Sequence, residues 1–174
     1  MKKWIKILIA IIVTPIVLLL IFIGFYLLTN LQGVIESYQV GDPNAKYKIL
    51  LASQGSEFKD QLLNDIVQQL ESDTVFLSIV DCTSLEKEEI LDWNAIVIIH
   101  TTQIHGMPKA AKNYLTKIPD LSKVVLVTTS GGCDEVVTEF DVDAVSTASR
   151  LFVTDTIAKW AVFKVQHIIA LGSE

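Results

Sequence analysis

One uncharged stretch constrains this chain more than any other feature. Between Lys6 and Glu36, 29 consecutive residues carry no formal charge, and most of them are aliphatic or aromatic. About 20 apolar residues are enough to cross the roughly 30 Å hydrocarbon core of a bilayer as an α-helix. A cleaved signal peptide is the alternative, but its apolar region normally has about 7–15 residues and ends at a small-residue cleavage site. The run here is longer and ends in FYLLTNLQG, which favours an uncleaved transmembrane helix within residues 1–28.

Basic residues on one side of this helix predict its orientation. Three lysines flank its N-terminal end (Lys2, Lys3 and Lys6), whereas the first basic residue after the helix is Lys46. The positive-inside rule therefore predicts a cytoplasmic N-terminus and an extracytoplasmic location for the rest of the chain. Residues 29–46 contain two glycines and a proline and are predicted to be a juxtamembrane linker. The expected product is a single-pass membrane protein with its main domain in residues 47–174.

The composition of residues 47–174 excludes one large class of partner. These 128 residues carry 10 Lys and Arg against 18 Asp and Glu. Binding to nucleic acid draws most of its affinity from basic side chains on phosphates, so no nucleic-acid partner is expected. A chain of this length can bury one core of its own. The two cysteines, Cys82 and Cys133, are too few for a disulfide framework.

Short apolar runs alternate with helical periodicity through this domain. Helices are predicted from Ser56 onward, around Leu85–Leu91, near Pro108–Leu115, and from about Arg150 to Ala170. The predicted strands are 47–53, 74–80, 94–100, 123–129 and 142–146. Strands that are apolar throughout and alternate with helices indicate an α/β doubly wound parallel sheet, whose ligands bind at the carboxyl ends of the strands. The stretch 129–142 shows no helical periodicity, so either a loop replaces a crossover helix or the fifth strand is irregular.

Four segments at the ends of these strands resemble the flavodoxin-like family. They are ASQGS (52–56), IHGMPKAAKNYL (104–115), TTSGG (128–132) and VDAVSTASR (142–150). The resemblance implies a five-stranded flavodoxin-like sheet in the order 2-1-3-4-5, and FMN as the cofactor. In that order the ends of the second and fourth strands are roughly 14 Å apart, too far for a disulfide, so Cys82 and Cys133 are predicted to be free thiols. By the same resemblance, the flavin would be held by three loops, comprising Ser53, Gln54, Gly55 and Ser56; His100, Thr101, Thr102, His105 and Gly106; and Thr129, Ser130, Gly131 and Gly132.

Each of these groups also has a purely structural interpretation. Ser56 is suited to cap a helix without any ligand. His100 and His105 could bond a flavin carbonyl or relay protons, but polar residues commonly cap strand ends, and their spacing does not indicate a metal site. The last helix has 14 apolar residues among residues 151–171, which fits either a broad buried face or contact with a membrane surface or partner helix.

Two functional hypotheses follow. The first is a membrane-anchored electron-transfer protein that binds FMN and meets a redox partner protein. The second is a cofactor-free flavodoxin-like module that uses its rim of loops for protein–protein interaction at the membrane. Motifs of serine hydrolases, nucleotide hydrolases and zinc proteases are absent from the sequence, and no catalytic residue is predicted.

Overall fold

The computed structural model describes residues 3–30, 33–90, 92–102, 106–130 and 139–172. The chain divides into two compact units, Met1–Gln32 and Gly33–Glu174, and the second is named the sheet domain. The first unit contains a single helix, α1 (Lys3–Asn30). Its segment Lys3–Phe25 is long and apolar enough to cross a membrane.

The sheet domain is built on six strands. Their order is β1-β3-β2-β4-β5-β6, and β2 to β6 run parallel. This confirms the doubly wound sheet and its order, with one strand added at the edge beside β3. The strands are β1 (Tyr38–Val40), β2 (Tyr47–Ser53), β3 (Val75–Asp81), β4 (Ala95–Thr101), β5 (Val124–Thr129) and β6 (Asp143–Thr147).

Helices cover both faces of the sheet, which explains why the central strands are apolar throughout. One face packs against α2 (Glu57–Leu70) and α4 (Thr154–Leu171). The other packs against α3 (Lys109–Leu115) and a 3-10 helix, Cys82–Lys87. Alternate residues of each strand enter the two cores, so a strand such as β2 has no solvent-facing side.

The prediction for the segment after β3 was wrong. An α-helix was expected around Leu85–Leu91, but the structure has the 3-10 helix Cys82–Lys87 there. The Asp81 carboxylate accepts the Thr83 N–H at 2.8 Å and fixes a tight turn directly after the strand. Only two residues of the turn are buried, which is too small an apolar face to hold a longer helix.

The predicted linker 29–46 also differs from the structure in its second half. Residues Tyr38–Val40 form β1, which pairs antiparallel with β3. β1 was not predicted from the sequence. Three residues are too few for an alternating pattern to be visible.

At the other end of the sheet, β6 pairs with β5 in regular parallel register, so the fifth predicted strand is not irregular. Part of the crossover before it, residues 131–138, lies outside the described residues.

Candidate functional site

The carboxyl ends of β2, β4 and β5 meet at one edge of the sheet, named the carboxyl edge. Ser53 pairs with Ile99, and Thr101 pairs with Thr129, so the three predicted loops leave neighbouring strands. The structure therefore brings Ser53–Ser56, His100–Thr102 and Thr129–Ser130 together, as the sequence predicts. Three other predicted residues lie outside the described residues: His105, Gly131 and Gly132.

Gly106 lies at the start of the segment that leads into α3. Its φ of +92° is in the region that favours glycine. A Cβ added there would lie 3.4 Å from a carboxylate oxygen of Glu139. That carboxylate also forms an ion pair with Lys112 of α3. Gly106 thus has a structural reason to be glycine, with or without a ligand.

The β2–α2 loop, Gln54–Ser56, uses its polar groups internally. The Gln54 N–H donates to the Ile99 carbonyl at 3.2 Å, and the Ser53 hydroxyl donates to the Gln54 carbonyl at 3.0 Å. The Ser56 hydroxyl accepts the Lys59 N–H at 3.3 Å and so caps α2. The structural interpretation of Ser56 as a helix cap is therefore observed directly.

A second segment, which the sequence analysis assigned to the linker, covers this loop. The Gly55 N–H donates to the Gly33 carbonyl at 2.7 Å, and the Gly33 N–H donates back to the Gly55 carbonyl at 2.9 Å. A Cβ on Gly55 would lie only 2.8 Å from the Gly33 carbonyl carbon. The Ile35 N–H, two residues further on, donates to the Asp81 carboxylate at 3.1 Å. Gly33–Ile35 is therefore held to the ends of β2 and β3 by its own backbone, and we name it the covering segment.

Hydroxyl and amide groups join the ends of β4 and β5. The Gln54 side-chain carbonyl accepts the Thr101 N–H at 2.8 Å. The Thr101 and Thr129 hydroxyls lie 2.7 Å apart, and the Thr102 N–H donates to the Thr129 carbonyl at 2.9 Å. Gln54 is thus a structural link between strands, and its side-chain carbonyl is already engaged.

His100 lies inside the sheet domain, away from the open side of the carboxyl edge. It is fully buried, and its Nε2 lies 3.2 Å from the Thr128 hydroxyl. Strand periodicity places it on the same face as Ile96 and Ile98, which belong to the core beneath α3. Burial lowers its pKa to about 4, so the ring is neutral at physiological pH. His100 therefore provides no cation for an anionic ligand near neutral pH.

Lys59 and Cys82 form a buried pair beneath the loop that the sequence analysis did not identify as part of the site. The Lys59 side chain is 1% exposed, and its Nζ lies 3.3 Å from the Ser56 hydroxyl. Burial lowers the pKa of Lys59 to about 8. Burial raises the pKa of Cys82 to about 12, and nearby Asp81 acts in the same direction. The signal available in sequence was a lysine at an inward-facing position of α2, one residue after Phe58.

Two hydroxyls at the carboxyl edge are buried and have no hydrogen-bond partner among the described residues. They belong to Thr102, directly after β4, and Ser130, directly after β5. Both were predicted site residues. They precede segments 103–105 and 131–138, which the structure does not describe. Within the described part of the chain, these hydroxyls are the site groups with unused hydrogen-bonding capacity, together with His100 Nδ1.

One open groove lined by described residues lies at the opposite edge of the sheet. It has a volume of about 680 Å³ and lies between the residues that lead into β5 and β6 and the end of α4. Its lining includes Leu121, Asp143 and Leu171. The predicted ligand loops contribute nothing to it.

These contacts decide whether the β2–α2 loop fits the phosphate of FMN. A phosphate at this position needs backbone N–H groups and hydroxyls that are free to donate. Here the Gln54 and Gly55 N–H groups are both donated within the protein, and the backbone of Gly33 lies against Gly55. The described residues therefore do not fit a flavin phosphate while the covering segment is in place.

Comparison with known proteins gives fold-level similarity. No protein-family model matches the sequence, and no curated protein matches significantly. The structure resembles the metal-soaked Flv1 flavodiiron core from Synechocystis sp. PCC6803, with a TM-score of 0.54 and 11% identity over 72% of this chain and 36% of that one. It also matches the flavodoxin of Streptococcus pneumoniae TIGR4, with a TM-score of 0.40 and 11% identity over 70% of this chain and 97% of that one. The chain thus spans about a third of the flavodiiron core, and its sheet domain has a flavodoxin-like fold.

Proposed function

We propose that this protein is a membrane-anchored, cofactor-free flavodoxin-like module that binds a partner protein through the loops of its carboxyl edge. The observation that carries the proposal is the pairing of Gly33 with Gly55. In the loop where flavodoxin-like proteins would hold a phosphate, the Gly55 N–H donates instead to the carbonyl of Gly33 in the same chain. α1 provides the membrane anchor, with the N-terminus in the cytoplasm and the sheet domain outside.

The chemical groups at the carboxyl edge suit the binding of a partner protein better than redox or acid–base catalysis. The described site groups with unused hydrogen-bonding capacity are the hydroxyls of Thr102 and Ser130 and Nδ1 of the His100 ring, and none of them titrates near neutral pH. Three titratable groups nearby are buried. His100 is neutral, and the Cys82 thiol stays protonated because its pKa is about 12. The Lys59 amine, whose pKa is about 8, lies 3.3 Å from the Ser56 hydroxyl within the protein.

A flavin titration tests the absence of the cofactor. The full chain in detergent is mixed with excess FMN, desalted and scanned for the visible flavin band. The expected result is no retained flavin, because Gly55 cannot donate to a phosphate. One retained flavin per chain would overturn the cofactor-free proposal.

Site-specific photocrosslinking tests the partner. A photoreactive amino acid replaces Ser130 at the carboxyl edge, and the same replacement of Ser122, exposed at the opposite edge, is the matched control. In native membranes the Ser130 position should give a discrete protein adduct that the Ser122 position does not give. Identical patterns from both positions would contradict binding at the carboxyl edge.

FMN-dependent electron transfer is the second candidate, and one observation favours it. The ammonium group of Lys59 lies 3.3 Å from the Ser56 hydroxyl, where it would offset the charge of a phosphate. This function requires the covering segment to leave Gly55. Gly33→Pro removes the donation from the Gly33 N–H to the Gly55 carbonyl, one of the two hydrogen bonds that hold the covering segment, so the variant should gain FMN affinity if the site is only covered. No flavin binding by either protein would count against this candidate.

A further inference from the structure

The second half of α4 leaves large side chains exposed along one stripe. Phe163 is 64% exposed and Leu171 is 60% exposed, and His167 between them is exposed as well. Because these residues are four positions apart, they share one side of the helix. The Phe163 and His167 rings are stacked, with their centroids 6.4 Å apart. We name Phe163, His167 and Leu171 the α4 stripe.

The α4 stripe continues into the groove at the opposite edge of the sheet. His167 and Leu171 line that groove, together with the apolar side chains of Leu121, Val142 and Ile168. The volume of about 680 Å³ is in the range of ligand-binding clefts. The stripe and the groove therefore form one continuous surface with an apolar floor. The apolar residues of α4 that the sheet does not bury, which the sequence analysis left with two interpretations, lie on this surface.

The charged groups along the groove are carboxylates. Asp120, Asp141 and Asp143 line it, and no lysine or arginine is among its described lining residues. Lys164 of α4 forms an ion pair with Asp143 at 2.7 Å. The Asp120 carboxylate accepts the N–H and the hydroxyl of Ser122, at 3.0 Å and 2.6 Å. These hydrogen bonds lower the pKa of Asp120, so it stays ionised at neutral pH. Asp120 and Asp141 have no ion-pair partner among the described residues.

This combination of charge and apolar surface identifies the kind of occupant. Two carboxylates without ion pairs beside an apolar floor are complementary to a segment that carries both apolar residues and lysine or arginine. A second copy of this chain is a poor match, because residues 47–174 carry 18 Asp and Glu against 10 Lys and Arg and would repel each other. The four-residue spacing of the α4 stripe forms the kind of ridge against which a second helix packs.

We propose that the groove and the α4 stripe bind a basic amphipathic helix of a partner protein. Its apolar residues would pack against Leu171 and the floor of the groove, and its basic residues would pair with Asp120 and Asp141. This surface is at the opposite edge from the loops of the proposed function, so neither proposal depends on the other. A partner bound here would be crosslinked from Ser122, which lines the groove, and its adduct would differ from the adduct formed at Ser130.

Photocrosslinking to a defined peptide tests this surface. Benzoylphenylalanine replaces Phe163 in the full-length protein, in phosphatidylcholine nanodiscs. The same replacement of Phe152, which is 78% exposed and lies outside the groove and the stripe, is the matched control. The probe is a short helical peptide of leucine and lysine with its leucines on one face. A comparison peptide has glutamate in place of every lysine.

Two pairs of substitutions test the charges. Asp120→Asn with Asp141→Asn removes two charges from the groove, and asparagine at position 120 can still cap the turn at Ser122. Glu71→Gln with Asp73→Asn removes two exposed charges outside it and is the control.

The lysine peptide should label position 163 and not position 152, and the glutamate peptide should label neither. Loss of the two groove charges should weaken labelling by about threefold to tenfold, because two exposed ion pairs are lost, whereas the control pair should have no effect. No labelling at position 163, equal labelling at both positions or by both peptides, or an equal loss in both double variants would overturn the proposal. An adduct between two copies of the chain from position 163, formed without peptide, would overturn it in favour of a second copy as the occupant.

Discussion

Replacing Gly55 with alanine tests whether the covering segment is held as tightly as its hydrogen bonds indicate. The backbone of Gly55 is not in the left-handed region, so alanine can adopt its conformation. The obstacle is space, because the new Cβ would lie 2.8 Å from the carbonyl carbon and 3.1 Å from the Cα of Gly33. Both neighbours are backbone atoms, which cannot rotate away as a flexible side chain can. The covering segment must therefore shift.

The cost follows from the contacts that such a shift breaks. The Gly33–Gly55 pair contains two backbone hydrogen bonds, each with a net contribution of about 1 kcal/mol. Alanine offsets roughly 0.4–1 kcal/mol of this loss, because it lowers the conformational entropy of the unfolded chain. The expected loss is therefore about 1–2 kcal/mol in the free energy of unfolding.

The measurement is urea unfolding of the full chain in detergent, followed by tryptophan fluorescence, together with hydrogen exchange at the Gly55 amide. Gly172→Ala is the matched control, because its Cβ would lie 3.5 Å from its nearest neighbour, an ordinary contact. Hydrogen exchange at the amide of residue 55 should become much faster in Gly55→Ala and stay unchanged in the control. Equal stability and equal exchange in both variants would refute the proposed role of the covering segment.

Three further predictions concern the buried charges, the thiols and the topology. The pKa of Lys59 falls from 10.5 to about 8 on folding, so its charge opposes folding below pH 8. As the pH rises from 8 to 10.5, the free energy of unfolding of the wild type should therefore increase by up to about 3 kcal/mol relative to that of Lys59→Met. The same pH dependence of unfolding in both proteins would contradict this. Thiol counting on unreduced, denatured protein should give two groups per chain, whereas Cys82 should not react in the native protein; a count of zero would show a disulfide. A C-terminal alkaline phosphatase fusion should be active and a GFP fusion dim, and the opposite pair would reverse the predicted orientation.

The sheet could be predicted because its physical requirements are local. A parallel strand covered on both faces is apolar on both sides through its middle, and β2, β4 and β5 show this within six or seven residues. The cap of α2 is also local, since Ser56 needs only the N–H of Lys59, three residues away. Strand order came from the family resemblance, which the fold comparison supports.

The covering segment could not be predicted because it depends on contacts between distant residues. Gly33 and Gly55 are 22 positions apart, and neither has a side chain that could indicate a partner. The burial of Lys59 was also missed, although its position on the inward-facing side of α2 is visible in the sequence, because a lysine in the first turn of a helix is usually solvated. Its ammonium group lies 3.3 Å from the Ser56 hydroxyl. Long-range backbone pairing leaves no periodic signal.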